Sequence, residues 1–144
     1  METGTTPATM TAVRLHQPGT EGLAVDDIPT PRPREGEALV AVHAAGITRD
    51  ELEWPLERLP AIPSYEVSGV VVALGGNASG LAVGDEVYGL TGFDRDGVAA
   101  EFALVAADAL APRPQSLDHV ESAAVPLAAL SAWQGLFDHG RLEE

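Results

Sequence analysis

The sequence predicts a mainly β domain, either a barrel or a sandwich, followed by helices at the C-terminal end. Short apolar runs separated by glycine, proline and aspartate corners recur over about the first 110 residues, a pattern typical of barrels and sandwiches. After residue 115 the apolar residues change to helical spacing. The 144 residues, 45% of them hydrophobic, suffice for one domain with a core. We therefore divide the chain into a loose tail at residues 1–9, a β-barrel at 10–114 and helices at 115–144.

The first part of the barrel begins with a predicted hairpin. Residues 10–16 and 23–28 lie on either side of a Pro-Gly turn, which is typical of two antiparallel strands. The connector "PTPRPREG" at residues 29–36 contains three prolines, and their fixed φ and missing N–H exclude a helix. Residues 37–45, "EALVAVHAA", are apolar on nearly both faces, which predicts a central strand.

The second part of the barrel contains three more apolar runs that predict strands. Residues 66–74 form the first and end at "GGNASG", and the second is "AVGDEVYGL" at 82–90. The third is "GVAAEFALVAADAL" at 97–110. The segment "TGFDRDG" at 91–97 is short and polar, so we interpret it as a loop.

Helix-start signals occur at three places. Thr48 followed by Glu51 predicts a capping box that opens a short helical turn before Pro55. Asp118 and Glu121 predict a second capping box. A proline at position 126 suits the first turn of another helix. The apolar residues on one side of that last helix are Leu127, Leu130, Trp133 and Phe137, and Gly140 is its predicted end.

Composition excludes several classes of function. Eight arginines, no lysine and 22 acidic residues give a net charge of -14, which repels phosphate backbones and anionic lipids, so neither nucleic acid nor membrane is an expected partner. The absence of cysteine excludes disulfides, thiolate nucleophiles and cysteine-type metal sites, and the absence of lysine excludes Schiff-base chemistry. A polar start and no run of roughly 18 apolar residues predict a cytoplasmic domain.

An ordered series of motifs carries a resemblance over nearly the whole chain, from about Met10 to Gly140. The motifs are "PTPRPREGEALVAVHAAGI", "PAIPSYEVSGVVVALG", "LAVGDEVYGL", "RDGVAAEFALV" and "ESAAVPLAALSAWQGLF". In this series the chain resembles the N-terminal GroES-like catalytic domain of medium-chain dehydrogenases/reductases in the alcohol dehydrogenase superfamily. The resemblance implies a partly open β-barrel with C-terminal helices. It also implies a Rossmann domain as partner, absent from this chain, that binds the cofactor NADP, of which the chain alone would bind little.

Within that superfamily the chain resembles the zinc-independent quinone oxidoreductases. Zinc members place a cysteine after "A-G-[IV]" and a histidine in "G-H-E", and both side chains are zinc ligands. This sequence has Thr48 and Tyr65 at those positions, and it lacks the four-cysteine loop of the structural zinc. The resemblance therefore implies a member without zinc.

Five residues are candidate site residues by position in the resembling motifs. Thr48 either orients a substrate carbonyl or caps a helix, and Asp50 matches a proton-relay position or favours a helix N-terminus. Arg49 reaches a cofactor phosphate or is solvated, and Ser131 replaces a threonine that contacts the nicotinamide amide. Tyr65 is expected in the open cleft, where its phenol donates a hydrogen bond to an enolate or quinone oxygen. The alternative for this tyrosine is half-packing on the barrel.

Two neighbours of these candidates receive structural or pocket roles. Glu66 follows Tyr65 and is expected in a less exposed site, where its carboxylate needs a partner. Arg49 and Arg58 are the partners that we expect first, and an arginine of the absent Rossmann domain, which the resemblance implies, is the alternative. Trp54 is a candidate lining residue of a substrate pocket, whereas Trp133 is expected in the core.

The function that the resemblance implies is NADPH-dependent reduction of a quinone or an activated alkene, a small-molecule substrate, in a two-domain enzyme. Two alternatives are an enoyl-thioester reductase and a stand-alone binding or scaffold module. An exposed apolar patch is expected where the nucleotide domain would dock, at Leu127, Leu130, Ser131 and Phe137. Through that patch the domain alone would form a homodimer.

Overall fold

The structure is a computed structural model that describes residues 6–48, 50–54 and 58–143. Within these ranges it contains seven strands and two α-helices. The strands are β1 (Thr9–Leu15), β2 (Leu23–Pro29), β3 (Glu37–Gly46), β4 (Glu66–Leu74), β5 (Glu86–Leu90), β6 (Phe102–Ala106) and β7 (Leu110–Pro112). The helices are α1 (His119–Ala123) and α2 (Pro126–Trp133).

The strands form a hairpin and one larger antiparallel sheet. β1 and β2 pair in register from Thr9 with Pro29 to Leu15 with Leu23, which confirms the predicted hairpin. The larger sheet has the order β6-β3-β4-β5-β7, so β3 is an interior strand as predicted. Single bridges, Ala12 with Ala100 and Leu15 with Ala61, attach the hairpin to the rest. The mainly β, partly open barrel is confirmed, and the described residues contain no parallel strand pair of a Rossmann domain.

The barrel core consists mainly of valines that alternate along the strands. β-branched side chains favour the pleated, half-buried environment of a sheet. Gly69 lies between two of these valines on β4, and a Cβ there would lie 2.1 Å from the carbonyl oxygen of Ala41. This position therefore needs glycine for the close approach of β3. The fully or almost fully buried core residues are Ala38, Val40, Val67, Val71, Val87, Val98, Ala103 and Val105.

The C-terminal helices begin where the sequence predicts. The Asp118 side chain accepts a hydrogen bond from Glu121 N and the Glu121 side chain accepts one from Asp118 N, which confirms the second capping box. α2 starts with a proline and continues as a π-helical segment, Gln134–His139, that ends at Gly140. None of the helices described here is long and apolar enough to cross a membrane.

The far half of α2 and the π-helical segment are exposed. Trp133 is 60% exposed, so its predicted place in the core is wrong. Its indole packs on Phe137 of the same segment, with ring centroids 4.5 Å apart. The buried residue of α2 is Pro126 in its first turn, and helical spacing alone did not reveal which residues would be covered.

Candidate functional site

Three strand ends meet at one edge of the larger sheet. Gly46 at the end of β3 pairs with Glu66 at the start of β4, and Glu66 pairs with Leu90 at the end of β5. Antiparallel pairing therefore brings together the loops that follow β3 and β5 and the turn that precedes β4. Thr48, Tyr65 and the loop at residues 91–97 emerge at this edge, which is the candidate site.

Glu51 connects two of these loops through a buried carboxylate. Only 3% of this residue is exposed. Its Oε2 accepts a hydrogen bond from Thr48 N at 3.0 Å, and its Oε1 accepts one from Ser64 N. Satisfying a buried charge with two backbone donors avoids the cost of leaving it unpaired. The arrangement fixes the position of Thr48 relative to the turn before β4.

The helix N-cap predicted at Thr48 is wrong, because the N-cap position in the structure is Asp50. The helical turn is a 3-10 helix, Glu51–Glu53, and Asp50 precedes it with φ of 65° and no side-chain cap bond. The left-handed conformation of Asp50 moves the helix start past Thr48. The Glu51 half of the predicted box is present, since its carboxylate does accept from Thr48 N.

Ser64 adopts a backbone conformation that few non-glycine residues use. Its φ is 70° and its side chain is fully buried. The Ser64 hydroxyl donates to the Gly46 carbonyl at 2.7 Å, and the Ser64 carbonyl accepts from Val98 N at 2.7 Å. These bonds, with the one to Glu51, hold the strained turn in place. Tyr65 therefore enters the site from a fixed direction.

Tyr65 lies inside an aromatic cluster with Trp54 and Phe93. The tyrosine ring centroid is 4.9 Å from that of Phe93 and 6.3 Å from that of Trp54, whose plane is nearly parallel. Only 5% of Tyr65 is exposed, so the predicted open position is wrong: the two neighbouring rings cover it. Burial raises the pKa of the phenol, and the carboxylates of Glu51 and Asp96 raise this pKa further. The phenol therefore stays protonated at neutral pH and acts only as a neutral donor or acceptor.

Glu66 has the structural role that the sequence predicts, with a different partner. It is 8% exposed, and its Oε1 accepts a hydrogen bond from Leu127 N at 2.9 Å. This carboxylate lies at the first turn of α2, where free N–H groups and the helix dipole favour a negative charge. The expected pairing with Arg58 is wrong, because the Arg58 guanidinium lies 3.8 Å from Asp96. The other expected partner, Arg49, lies outside the described residues.

The remaining candidates are spread over the surface near this edge. Thr48 is half-buried and Asp50 is exposed. Ser131 is exposed on α2, and its hydroxyl makes no hydrogen bond to any residue that the structure describes. The structure thus connects Thr48 to the turn before Tyr65 through Glu51, and it leaves Ser131 on a separate helix. Arg49 cannot be assigned a position, because it is not among the described residues.

Sequence reasoning missed Phe93 and the N–H of Leu127. Phe93 is an isolated aromatic residue in a polar loop, and it is half exposed beside Tyr65. An aromatic residue in such a loop was the available signal. The Leu127 N–H had no signal, because the bond joins residues 61 positions apart and every non-proline residue carries this donor.

No three histidine, cysteine, aspartate or glutamate residues come together as a metal site within the described part of the chain. Thr48 and Tyr65 stand at the two positions where zinc members carry a cysteine and a histidine ligand. A hydroxyl and a phenol are poor zinc ligands at neutral pH.

Known proteins match this chain in sequence and in fold. The model of the family "Alcohol dehydrogenase GroES-like domain" matches residues 34–115. A probable zinc-binding oxidoreductase, mitochondrial, of Arthroderma benhamiae is 37% identical over 96% of this chain and 43% of its own length. The 2-methylene-furan-3-one reductase of Solanum lycopersicum is 35% identical over 79% of this chain and 31% of its own length.

A solved structure, the quinone oxidoreductase from Coxiella burnetii, matches with a TM-score of 0.82 and 29% identity. The match covers 90% of this chain and 45% of that one. The chain thus spans less than half the length of these relatives. The family model covers more than half of the chain, and the fold agrees with it. The chain therefore belongs to the alcohol dehydrogenase GroES-like domain family of medium-chain dehydrogenases/reductases.

Proposed function

We propose that this chain is the substrate-binding half of a zinc-independent, NADPH-dependent reductase of quinones or activated alkenes. The observation that carries the proposal is the buried neutral phenol of Tyr65 inside an aromatic cluster at the strand edge. The names of two relatives, a quinone oxidoreductase and a furanone reductase, support the same substrate class.

The aromatic cluster suits a flat, conjugated substrate. Trp54 is partly exposed and Phe93 is half exposed, so their rings present an apolar wall next to the site. Conjugated carbonyl compounds pack well on aromatic faces.

Two donors of this chain would act on the substrate oxygen. Reduction of a quinone or an activated alkene develops negative charge on the carbonyl oxygen, and preorganised donors lower the free energy of that state. We assign one hydrogen bond to the Tyr65 phenol and a second to the Thr48 hydroxyl. Asp50, exposed beside Thr48, would hold or release a proton at this oxygen.

The chain has residues that fit the nicotinamide end of a cofactor. When bound, NADPH supplies the hydride. The exposed Ser131 hydroxyl is available to the nicotinamide carboxamide, and Arg49 would contact a cofactor phosphate. The described residues include no glycine-rich turn at a helix N-terminus, which is what a pyrophosphate needs.

A nucleotide-binding domain is therefore the partner that we propose. Four large apolar side chains of α2 and the following π-helical segment are exposed: Leu130, Trp133, Leu136 and Phe137. Beside them an apolar groove of about 270 Å³ lies between β5 and α2. Exposed apolar surface of this kind marks interaction sites.

The acidic, cysteine-free composition favours the cytoplasm, although the Arthroderma benhamiae relative is named as mitochondrial.

The test uses what we call the two-domain protein: this chain joined to a nucleotide-binding domain, from its own reading frame or from the Coxiella burnetii enzyme. NADPH oxidation is measured with a benzoquinone, an α,β-unsaturated ketone, an enoyl thioester and, in reverse, a primary alcohol with NADP. We expect turnover with the first two compounds. Turnover confined to the alcohol would contradict the proposal, and turnover confined to the thioester would favour the enoyl-thioester reductase.

A stand-alone scaffold module is the other alternative. It predicts that adding a nucleotide-binding domain changes nothing and that the chain alone binds its partner. The exposed apolar face of α2 favours the two-domain protein over this alternative. A domain that functions alone is expected to bury such an apolar surface, whereas a second domain would cover it.

A further inference from the structure

A second cleft of about 670 Å³ adjoins the candidate site and shares residues 94–97 of its loop. Its walls come from the end of β2, the proline-rich connector, the start of β3, the loop at residues 94–97 and β6. None of the candidate residues Thr48, Tyr65, Phe93 and Ser131 lines it. The proposed reduction therefore does not account for this cleft.

The cleft concentrates positive charge in a strongly acidic protein. Four of the chain's eight arginines line it, namely Arg32, Arg34, Arg58 and Arg95, although the net charge of the chain is -14. The carboxylates that face them are Glu37, Asp94 and Asp96. Four cations against three anions make the cleft locally positive, which is unusual on this surface.

Two of these arginines already have carboxylate partners. Arg95 donates to Glu37 Oε1 at 2.8 Å, and the Arg34 backbone N–H donates to Glu37 Oε2 at 2.9 Å. The backbone bond from Arg34 and the bond from Arg95 lower the pKa of Glu37, so this carboxylate stays ionised. Arg58 lies 3.8 Å from Asp96, whose Oδ1 also accepts from the Ile62 N–H.

The guanidinium groups of Arg32 and Arg34 differ from those of Arg58 and Arg95, which each form an ion pair with a carboxylate. Both side chains are exposed at the cleft, and neither guanidinium forms a hydrogen bond with the residues described, although the charge of Arg34 also contributes to the lowered pKa of Glu37. The connector that carries them is stiffened by prolines on both sides of Arg32, so its backbone presents them at a fixed place. Two free guanidinium groups on such a segment match the oxygen pairs of a carboxylate or phosphate.

Apolar side chains also line the cleft. Met10 and Ile62 are buried, and Phe102, Leu104 and Ile28 are half-buried around them. A site lined by both cationic and apolar side chains favours organic anions over inorganic anions and over neutral apolar molecules.

We propose that this cleft binds a small organic anion, an aromatic or aliphatic body with a carboxylate or phosphate head held by Arg32 and Arg34. The apolar body contacts Met10, Ile62 and Phe102. Its lining does not include Thr48, Tyr65, Phe93 or Ser131, and binding there needs no nucleotide-binding domain.

The test titrates the 144-residue chain with 2-naphthoate, 2-naphthyl phosphate and the neutral 2-naphthylmethanol, and follows backbone amide shifts by NMR. We expect at least one of the two anions to bind about tenfold more tightly than the alcohol, since only the anions gain charge-assisted hydrogen bonds. The tighter of the two anions identifies the head group. The shifts should centre on residues 28–37, 94–97 and 102–104.

The double variant Arg32→Gln/Arg34→Gln should weaken anion binding about tenfold, and Arg141→Gln, outside the cleft, should leave it unchanged. Both arginines are exposed, so amide shifts elsewhere should report an unchanged fold. The proposal is overturned if neither anion binds, if the alcohol binds equally well, if the double variant binds like the wild type, or if the shifts centre on α2.

Discussion

Glu51 is the residue on which the geometry of the candidate site depends most. Its two carboxylate oxygens accept the N–H groups of Thr48 and Ser64, which belong to different loops, and it is almost fully buried. A neutral amide at this position keeps one acceptor oxygen but turns an NH₂ donor toward one of the two backbone donors. The mismatch leaves a buried donor without a partner.

Glu51→Gln should therefore lower the free energy of unfolding by about 2 kcal/mol, measured by urea denaturation. The matched control is Glu53→Gln in the same 3-10 helix, where the side chain is exposed. This control should change stability by less than about 0.5 kcal/mol. Equal stability of Glu51→Gln and wild type would show that the carboxylate does not hold the two loops.

Tyr65→Phe tests the role of the phenol while keeping the aromatic packing with Trp54 and Phe93. In the two-domain protein we expect kcat with a quinone to fall about ten- to a hundredfold, since one donor to the substrate oxygen is lost. The free energy of unfolding should change by less than about 1 kcal/mol, because the hydroxyl has no hydrogen-bond partner among the residues described. An unchanged kcat would assign Tyr65 to packing alone.

At the scale of elements, α1 is held to the sheet by a histidine that is kept neutral. His119 Nδ1 lies 2.8 Å from Ser68 Oγ, and that hydroxyl donates to the Val87 carbonyl, so the imidazole donates from Nδ1. Burial lowers the pKa of His119, and the neighbouring His43 ring and Arg113 guanidinium lower it further, against an opposing effect of Glu86. The folded state therefore disfavours the imidazolium.

This lowered pKa predicts a loss of stability in acid. As the pH falls through the usual histidine value of 6.5, the unfolded chain takes up a proton before the folded chain does, so the free energy of unfolding decreases down to the lowered folded pKa. Urea denaturation at pH 7.5 and 5.5 should show a smaller decrease for His119→Gln than for wild type. His139→Gln, exposed in the π-helical segment, should behave like wild type. An identical decrease in His119→Gln would remove this explanation.

The hairpin, β3, β4 and the starts of α1 and α2 could be predicted from the sequence because their causes are local, whereas the single strand predicted at 97–110 is β6, a 3-10 turn and β7. Alternating valines, glycine corners and the Asp118 capping box each act within a few residues. The partner of Glu66 and the covering of Tyr65 could not, since both depend on which distant segments meet at the strand edge. A neighbour such as Arg58, close in the sequence, was therefore a poor guide to the actual contact.

For the whole molecule, the exposed face of α2 has a consequence in solution. The side chains of Leu130 and Trp133 are 45% and 60% exposed. Without a covering domain, this apolar surface should drive self-association to a homodimer, because burial of apolar area is favourable. Sedimentation velocity of the 144-residue chain should show a concentration-dependent increase in mass.

Leu130→Glu should abolish that increase, whereas Val25→Glu, at an exposed valine on β2, should not. A monomer at all concentrations would contradict the interpretation of α2 as a docking face. In the two-domain protein the same self-association should disappear, because the added domain covers the face.

We propose that this chain serves a reductase that needs no zinc, with the phenol of Tyr65 in place of a metal. The most direct measurement is NADPH oxidation by the untagged two-domain protein with a benzoquinone, before and after dialysis against a zinc chelator, together with its zinc content. The account predicts full activity after dialysis and far less than one zinc per chain. Loss of activity in the chelator, restored by adding zinc, would contradict it.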